Sequence, residues 1–332
     1  MIELKPAFKE YLEKLLPDEK DREAFFKIAT APTRKIIRCN TIKTSPEKLK
    51  KRLESRGWKI SQPCKTNPET TKMDNFRGAE KDPFSSIMII ESELRPGELG
   101  KNIEHQLGMY YVQELSSMMS AIALSPKEHE SVLDICAAPG SKTTQLSAMM
   151  NNTGLLLAND VKIDRLSALI SNTERCGCMN VVATRMDGVR LCQIFEKRQV
   201  RFDKILVDAP CSGEGVIRSD HKVWKMWNPS MIRGLSALQK KLVACAVGCL
   251  KKGGALVYST CTFEPQECEE VVQFAIDRLG LELEEFQLPL KTREGLSEWN
   301  GKKYSNEVKK CKRVFPQDND TEGFFVAKLK KL

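Results

Sequence analysis

Apolar positions at helical spacing open the chain: Phe8, Leu12, Leu15 and Leu16, then Phe25 and Phe26, with a break at Pro17 and an end at Ala31-Pro32. Recurrence every three or four residues places such side chains on one face, so two short helices are predicted. The pattern then changes to a run from Lys35 to Asn40 that reads as a strand. Ser45-Pro46-Glu47 supplies an N-cap with proline at the first helical position and opens a helix that stops at Gly57. Residues Ser61 to Pro83 are polar and turn-rich, and Ile87 to Ile90 reads as a further strand. A small α+β module ending near residue 105 follows from this order.

From Ser131 onward, short β-rich apolar runs alternate with helical stretches. Strands are predicted at Val132–Cys136, Leu155–Ala158, Val181–Ala183, Lys204–Asp208 and Ala255–Tyr258. Such alternation argues for a mostly parallel sheet with helices on both faces. Phe324–Leu329 is a last strand, expected as an antiparallel edge. The chain has 332 residues, enough for two domains. The expected division is an N-terminal α+β module over 1–105 and an α/β domain over 106–332.

Hydrophobic residues make up 41% and charged residues 29%, as in a globular protein. No apolar run approaches the roughly 18 residues needed to cross a bilayer, and MIELKPAFKE has no apolar core of a signal peptide. Twelve cysteines on a long periodic chain fit a reducing cytoplasm better than a disulfide scaffold. Cys176 and Cys178 stand as C-x-C and only three histidines exist, so no metal site is expected. The expected location is cytoplasmic and the expected state a monomer.

Charge is concentrated. Of the overall +9, the stretch from Ala31 to Thr66 carries eleven basic residues against Glu47 and Glu54. A phosphate-binding surface needs such a concentration, although a solvated lysine-rich helix face produces the same count. The candidates for contact with nucleic-acid phosphates are Arg34, Lys35, Arg38, Lys50, Lys51 and Arg52. Trp224 and Trp227 stand beside Lys222 and Lys225, but amphipathic packing is the expected role of these indoles.

In open parallel sheets ligands bind beyond the carboxyl ends of the strands. Those ends are polar here. The first leads into Ala137-Ala138-Pro139-Gly140-Ser141-Lys142-Thr143, and the others reach Asp160, Asp187, Asp208-Ala209-Pro210-Cys211-Ser212-Gly213 and Ser259-Thr260-Cys261-Thr262. A single glycine in the first turn rules against the dinucleotide fingerprint and so against an NAD-dependent oxidoreductase. Asp160 is placed to accept from ribose hydroxyls and Asp187 from an adenine amine. Cys211 and Cys261 would share one cleft if their strands are neighbours. A thiol becomes a nucleophile when its pKa falls, and Lys142 is near enough in this topology to assist.

The segments Asp134 to Thr143, Asp208 to Gly213 and Ser259 to Thr262 resemble, in order and spacing, the motifs of the RsmB/Nop/Sun family of RNA cytosine-5 methyltransferases. Gly108 to Met118, Arg313-Val314-Phe315-Pro316 and Gly323-Phe324-Phe325 are similar to that family too. Glu322 departs from the aspartate expected before the glycine. The resemblance implies a Rossmann-like methyltransferase fold binding S-adenosyl-L-methionine through Cys136, Ala137, Ala138, Pro139, Gly140, Ser141, Lys142, Asp160, Arg165, Asp187 and Asp208. It also implies that Cys261 bonds to carbon 6 of cytosine while Cys211 assists release of the methylated RNA.

Carbon 5 of cytosine is a poor nucleophile, and a thiolate adding at carbon 6 makes the ring able to attack a sulfonium methyl. Asp208 would hydrogen-bond the ring nitrogen and exocyclic amine as charge develops there. A water or Cys211 are candidates for the base that removes the carbon-5 proton. A cytosine-5 DNA methyltransferase would use Pro210-Cys211 for attack, and the Ser-Thr-Cys-Thr turn argues against it. A silent RNA-binding scaffold would be expected to lose the nucleophile or the donor turn, and both are present. The compact N-terminal module favours tRNA as substrate over rRNA.

Overall fold

The computed structural model describes residues 5–63 and 84–332. Most of the turn-rich stretch, with Lys65 of the basic segment, lies outside the described residues.

Two helices come first, α1 (Pro6–Leu15) and α2 (Glu19–Ala29). The small sheet follows: β1 (Lys35–Cys39), helix α3 (Pro46–Glu54), β2 (Ile60–Ser61), β3 (Ile87–Ile90) and β4 (Tyr110–Val112), in the antiparallel order β2-β3-β1-β4. Helix α3 begins as its sequence requires, with Pro46 in the first turn and the Ser45 hydroxyl accepting from Lys48 N at 3.3 Å. The fourth strand lies past the boundary expected near residue 105. Nor do α1 and α2 pack on this sheet: Phe8, Leu12 and Phe25 join a core with Trp224, Trp227 and Phe263. The Phe8 ring lies 5.7 Å from Trp224 and 5.3 Å from Trp227. Both indoles are buried, in the packing role expected of them.

The remaining elements are α4 (Met119–Leu124), β5 (Ser131–Asp134), α5 (Ser141–Met149), β6 (Leu155–Asp160), α6 (Ile163–Cys176), β7 (Val181–Arg185), α7 (Gly188–Lys197), β8 (Phe202–Asp208), α8 (Pro229–Gly248), β9 (Leu250–Thr260) and α9 (Glu269–Leu279). Near the C-terminus β10 (Leu281–Leu283), β11 (Arg293–Glu294), β14 (Lys312–Val314) and β15 (Phe324–Lys331) join the large sheet, while β12 (Glu298–Trp299) and β13 (Lys302–Lys303) form a separate pair. The parallel part runs β7-β6-β5-β8-β9, and β15 lies antiparallel beside β9. Alternate residues of β8 reach opposite cores, Ile205 and Val207 one, Leu206 the other. That is why the strand reads as a continuous apolar run. The chain order reverses between β5 and β8, which places the binding crevice at their carboxyl ends.

The small sheet is tied to this fold through β1. Ile37 and Cys39 pack with Leu49 and Leu53 of α3, while Ile36 packs with Leu124 and Leu146. Arg38 faces the same way as Ile36 and is 3% exposed. Its guanidinium donates to Gln113 Oε1 and to Thr144 Oγ1, each at 2.8 Å. Arg38 therefore leaves the set of RNA contacts expected from sequence: both faces of β1 are covered, and its charge is spent on joining the sheet to α5. Asn40 Nδ2 adds hydrogen bonds of 2.8 Å to the carbonyls of Gly108 and Cys176. Gly108 has φ +70°, and a Cβ there would meet the Arg175 carbonyl oxygen at 1.8 Å, so this crossing needs glycine.

Candidate active site

A cavity of 560 Å³ opens at the carboxyl ends of β5, β8 and β9, lined by the Cys136–Pro139 turn, Ser141, Lys142, Asp208 and Cys261. Arg34 and Lys35, at the start of β1, also line it, and both are exposed.

The turn after β5 is held from below. Ala137 N donates to Asn159 O at 2.8 Å, and Asn159 Nδ2 reaches the carbonyls of Ile135 and Met186 at 3.1 and 3.0 Å, lacing three strand ends together. Gly140 caps α5 with φ +101°, a conformation glycine adopts without strain. Asp160 is buried, accepting from Ala138 N at 3.3 Å and from Lys162 N at 3.0 Å, with Arg165 3.6 Å away. Arg165 donates in turn to the Ala138 carbonyl. Asp187 is exposed and caps α7, accepting from Arg190 N at 3.0 Å. Neither Asp160 nor Asp187 lines the cavity, whereas Arg165 does. Both acids thus act here as turn and helix caps.

Asp134, at the end of β5, is fully buried. Its Oδ2 accepts from Thr143 Oγ1 at 2.8 Å, while the buried Oδ1 has no hydrogen-bond partner among the described residues, and the residue lies in the cavity wall. Burial pushes its carboxyl up to about 7 against the opposing bond from Thr143. A buried acceptor left without a partner in the cavity wall suits a ligand that brings a hydrogen-bond donor.

Lys142 comes from the first turn of α5 and points across the crevice. Its ammonium lies 2.8 Å from Asp208 Oδ2 and donates to Ser117 Oγ at 3.0 Å. Burial opposes its charge, but the Asp208 carboxylate outweighs burial and holds the Lys142 pKa above its ordinary value. Ser259 Oγ donates to the other oxygen, Asp208 Oδ1, at 2.8 Å, so this carboxylate is fixed from helix α5 on one side and strand β9 on the other.

Adjacency of β8 and β9 brings the two cysteine turns together: Cys211 Sγ and Cys261 Sγ are 3.0 Å apart. The hydrogen bond with Cys261 and then burial push the Cys211 thiol well up, so Cys211 rests as a neutral thiol. The turns are clamped behind the sulfurs. Ser212 Oγ contacts Glu214 at 2.9 Å and also Glu267, while the Thr262 hydroxyl donates to Glu214. Gln239 Nε2 bonds Glu267 Oε2 at 2.7 Å and Pro210 O at 2.9 Å.

Of the residues singled out by sequence, Cys136 to Pro139, Ser141, Lys142, Arg165, Asp208 and Cys261 line one cavity, with Cys211 against Cys261. On α3, Lys51 is exposed and Lys50 half-buried, while Arg52 lies 2.5 Å from the buried carboxylate of Glu104. The sequence reasoning did not single out Ser117, Asp134, Ser259, Glu214 or Glu267. Ser117, Asp134 and Ser259 stand inside motif segments, whereas Glu214 and Glu267 lie outside them and act through contacts between distant turns.

The arrangement has known counterparts. The model of the family described as 16S rRNA methyltransferase RsmB/F matches residues 121–330. A tRNA (cytosine(49)-C(5))-methyltransferase of Pyrococcus abyssi is 40% identical over 311 residues, 94% of this chain and 92% of that protein. Ribosomal RNA small subunit methyltransferase F of Vibrio campbellii is 37% identical over 98% of this chain, which spans 63% of that protein's length. Among solved structures, a methyltransferase homolog from Pyrococcus horikoshii superposes with a TM-score of 0.77 at 31% identity, covering 99% of this chain and 100% of that one. NSun6 from Pyrococcus horikoshii, solved with SFG, gives 0.77 at 26% identity, covering 98% of each chain. A sheet with this strand order, a donor turn at its switch point and paired cysteines on adjacent strand ends accompany these matches, and the chain belongs to the RsmB/F family of RNA methyltransferases.

Proposed function

We propose that this enzyme methylates carbon 5 of cytosine in tRNA, with Cys261 as the attacking nucleophile and Cys211 as the group that helps release the product. The 3.0 Å approach of the two sulfurs, beside the Lys142–Asp208 pair, carries the reading. S-adenosylmethionine supplies an electrophilic methyl carbon when bound, and the Cys136–Lys142 turn, Asp134 and Arg165 are the groups that fit it.

Cys261 as thiolate forms a bond to carbon 6, the ring electrons move to carbon 5, and carbon 5 takes the methyl as the methyl–sulfur bond of the donor breaks with its electron pair left on that sulfur, giving S-adenosylhomocysteine. Asp208, held by Ser259 and Lys142, faces the ring nitrogen and the exocyclic amine. Its position is set before the base arrives, so little reorganisation accompanies the charge that develops. Loss of the carbon-5 proton to a base then restores the double bond as the sulfur of Cys261 departs. A target cytosine must leave its stack to reach a cavity of this depth. Arg34 and Lys35 at the mouth, with Lys50 and Lys51 on α3, supply positive charge for the surrounding phosphates.

Identity of 40% to the tRNA-modifying relative, against 37% to the ribosomal one, supports tRNA. The deciding experiment is methyl transfer from labelled S-adenosylmethionine to unmodified tRNA and to rRNA, with the product nucleotide identified by mass spectrometry. Label as 5-methylcytosine in tRNA is expected. Label confined to rRNA would replace tRNA as substrate, and label in neither would end the proposal.

A further inference from the structure

Behind the catalytic turns, on the side covered by α1, lies a second cavity of 240 Å³. Tyr11, Trp227 and Trp299 line it together with Glu264, and the exposed Glu10 and Lys14 also contribute. The aromatic groups form one cluster, Tyr11 stacked on Trp227 at 5.4 Å and edge-on to Trp299 at 5.8 Å.

Glu264 is 2% exposed, and its Oε1 has no hydrogen-bond partner among the described residues; the same holds for the buried Tyr11 hydroxyl and Trp299 Nε1. The surroundings are acidic and, among the described residues, hold no free cation to pair with Glu264. Glu214 and Glu267 are both buried nearby, and the Arg313 guanidinium is already engaged in a two-point pair with Glu269. Glu10 and Lys14 at the cavity cancel one another across 2.8 Å. Burial, then the charge of Glu214, pushes the Glu264 carboxyl up to about 8. A proton alone neutralises this acid yet leaves its oxygen unpaired in a space large enough for a guest.

An anion would be repelled here, and an uncharged apolar guest would strand the carboxyl. One carboxylate among aromatic rings is a poor set for a metal ion, and no group of three or more metal-binding side chains occurs among the described residues. An organic cation satisfies both wall and floor, since ammonium groups are attracted to aromatic faces as well as to carboxylates. We propose that this cavity binds a small organic ammonium ion, with its charge toward Glu264 and its carbon groups against Tyr11, Trp227 and Trp299. The site adjoins the catalytic turn: Glu264 N donates to Thr262 Oγ1 at 3.1 Å, and that hydroxyl is the one bonded to Glu214.

The test compares choline with its uncharged carbon isostere dimethylbutanol by isothermal titration calorimetry on the full chain, with tryptophan fluorescence as a second readout. Choline is expected to bind at one site about tenfold or more tightly than the isostere, a gap within the range of a partly desolvated cation–π and carboxylate contact. In E264Q the preference for choline over the isostere is expected to shrink to what the aromatic rings alone supply, while S-adenosylmethionine binding, measured in parallel, shows that the variant is folded. Equal affinity of the two ligands for the unaltered protein, or no choline binding at tens of millimolar, would overturn the proposal without reliance on any variant.

Discussion

Cys211 and Cys261 reach within 3.0 Å of each other although 50 residues separate them, because the parallel pairing of β8 with β9 sets Asp208 opposite Ser259. In the proposed mechanism this proximity lets Cys211 serve the departure of Cys261. Cys261→Ala is expected to abolish methyl transfer while leaving S-adenosylmethionine affinity within about twofold, since the donor turn belongs to a different strand end. Cys211→Ala is expected to accumulate a protein–RNA adduct that survives a denaturing gel. An active Cys261→Ala enzyme would overturn the nucleophile assignment.

The Lys142–Asp208 pair makes a second prediction. Lys142→Met removes the cation beside Asp208 and is expected to lower kcat by about 10²- to 10³-fold, the usual cost of losing one preorganised electrostatic group. Because the ammonium pKa is held above its ordinary value, this group stays charged through the neutral range. Its contribution to stability is therefore present at pH 7 and lost only as pH rises through its raised pKa. Single-turnover rates with saturating tRNA check the first expectation, and melting curves above pH 10 the second.

Buried acids make the unliganded protein sensitive to alkali. Asp134 and Glu267 are pushed up to about 7 and Glu264 to about 8, in each case chiefly by burial. The folded state then holds protons that the unfolded chain has released, so stability falls as pH rises from about 4 toward 8. Glu267→Gln is expected to flatten part of that slope, at about 2–4 °C in Tm for each kcal/mol. Thermal melts at pH 5, 6, 7 and 8 decide it: an unchanged slope in the variant would show that Glu267 is ionised in the fold.

Arg38 and the lysines of α3 separate stability from RNA affinity. Arg38→Ala leaves Gln113 and Thr144 without their charged donor and is expected to cost about 1.5–3 kcal/mol of folding stability with no change in the salt dependence of RNA binding. Reversing Lys50 and Lys51 to glutamate is expected to do the opposite: unchanged melting, weaker RNA binding and a shallower dependence on salt. Binding isotherms at several salt concentrations check both, and an unaltered isotherm after the reversal would remove α3 from the RNA surface.

The centre of the catalytic sheet was legible because both faces of β8 are buried, so Leu206 and Val207 are apolar alike and the polar residues that follow mark the strand end. The donor turn and both cysteines stood at such ends. Ser259 and Glu267 were not legible, because a serine or glutamate by itself carries no sign of the partner it meets 51 or 55 residues away. Arg38 misled for a related reason. Arginine in a basic run reads as surface, and only the covering of β1 by α5 shows that this one is interior.

Helices α1 and α2 precede the small sheet in the chain yet pack into the catalytic core around Trp224, Trp227 and Phe263. The small sheet is thus spliced into the catalytic body and does not lead it. The small sheet is an internal cassette between Ala31 and Gln113, flanked on both sides by parts of the catalytic core. A graft that replaced this cassette together with the first two helices would strip the wall from the aromatic core, and the enzyme would lose its fold.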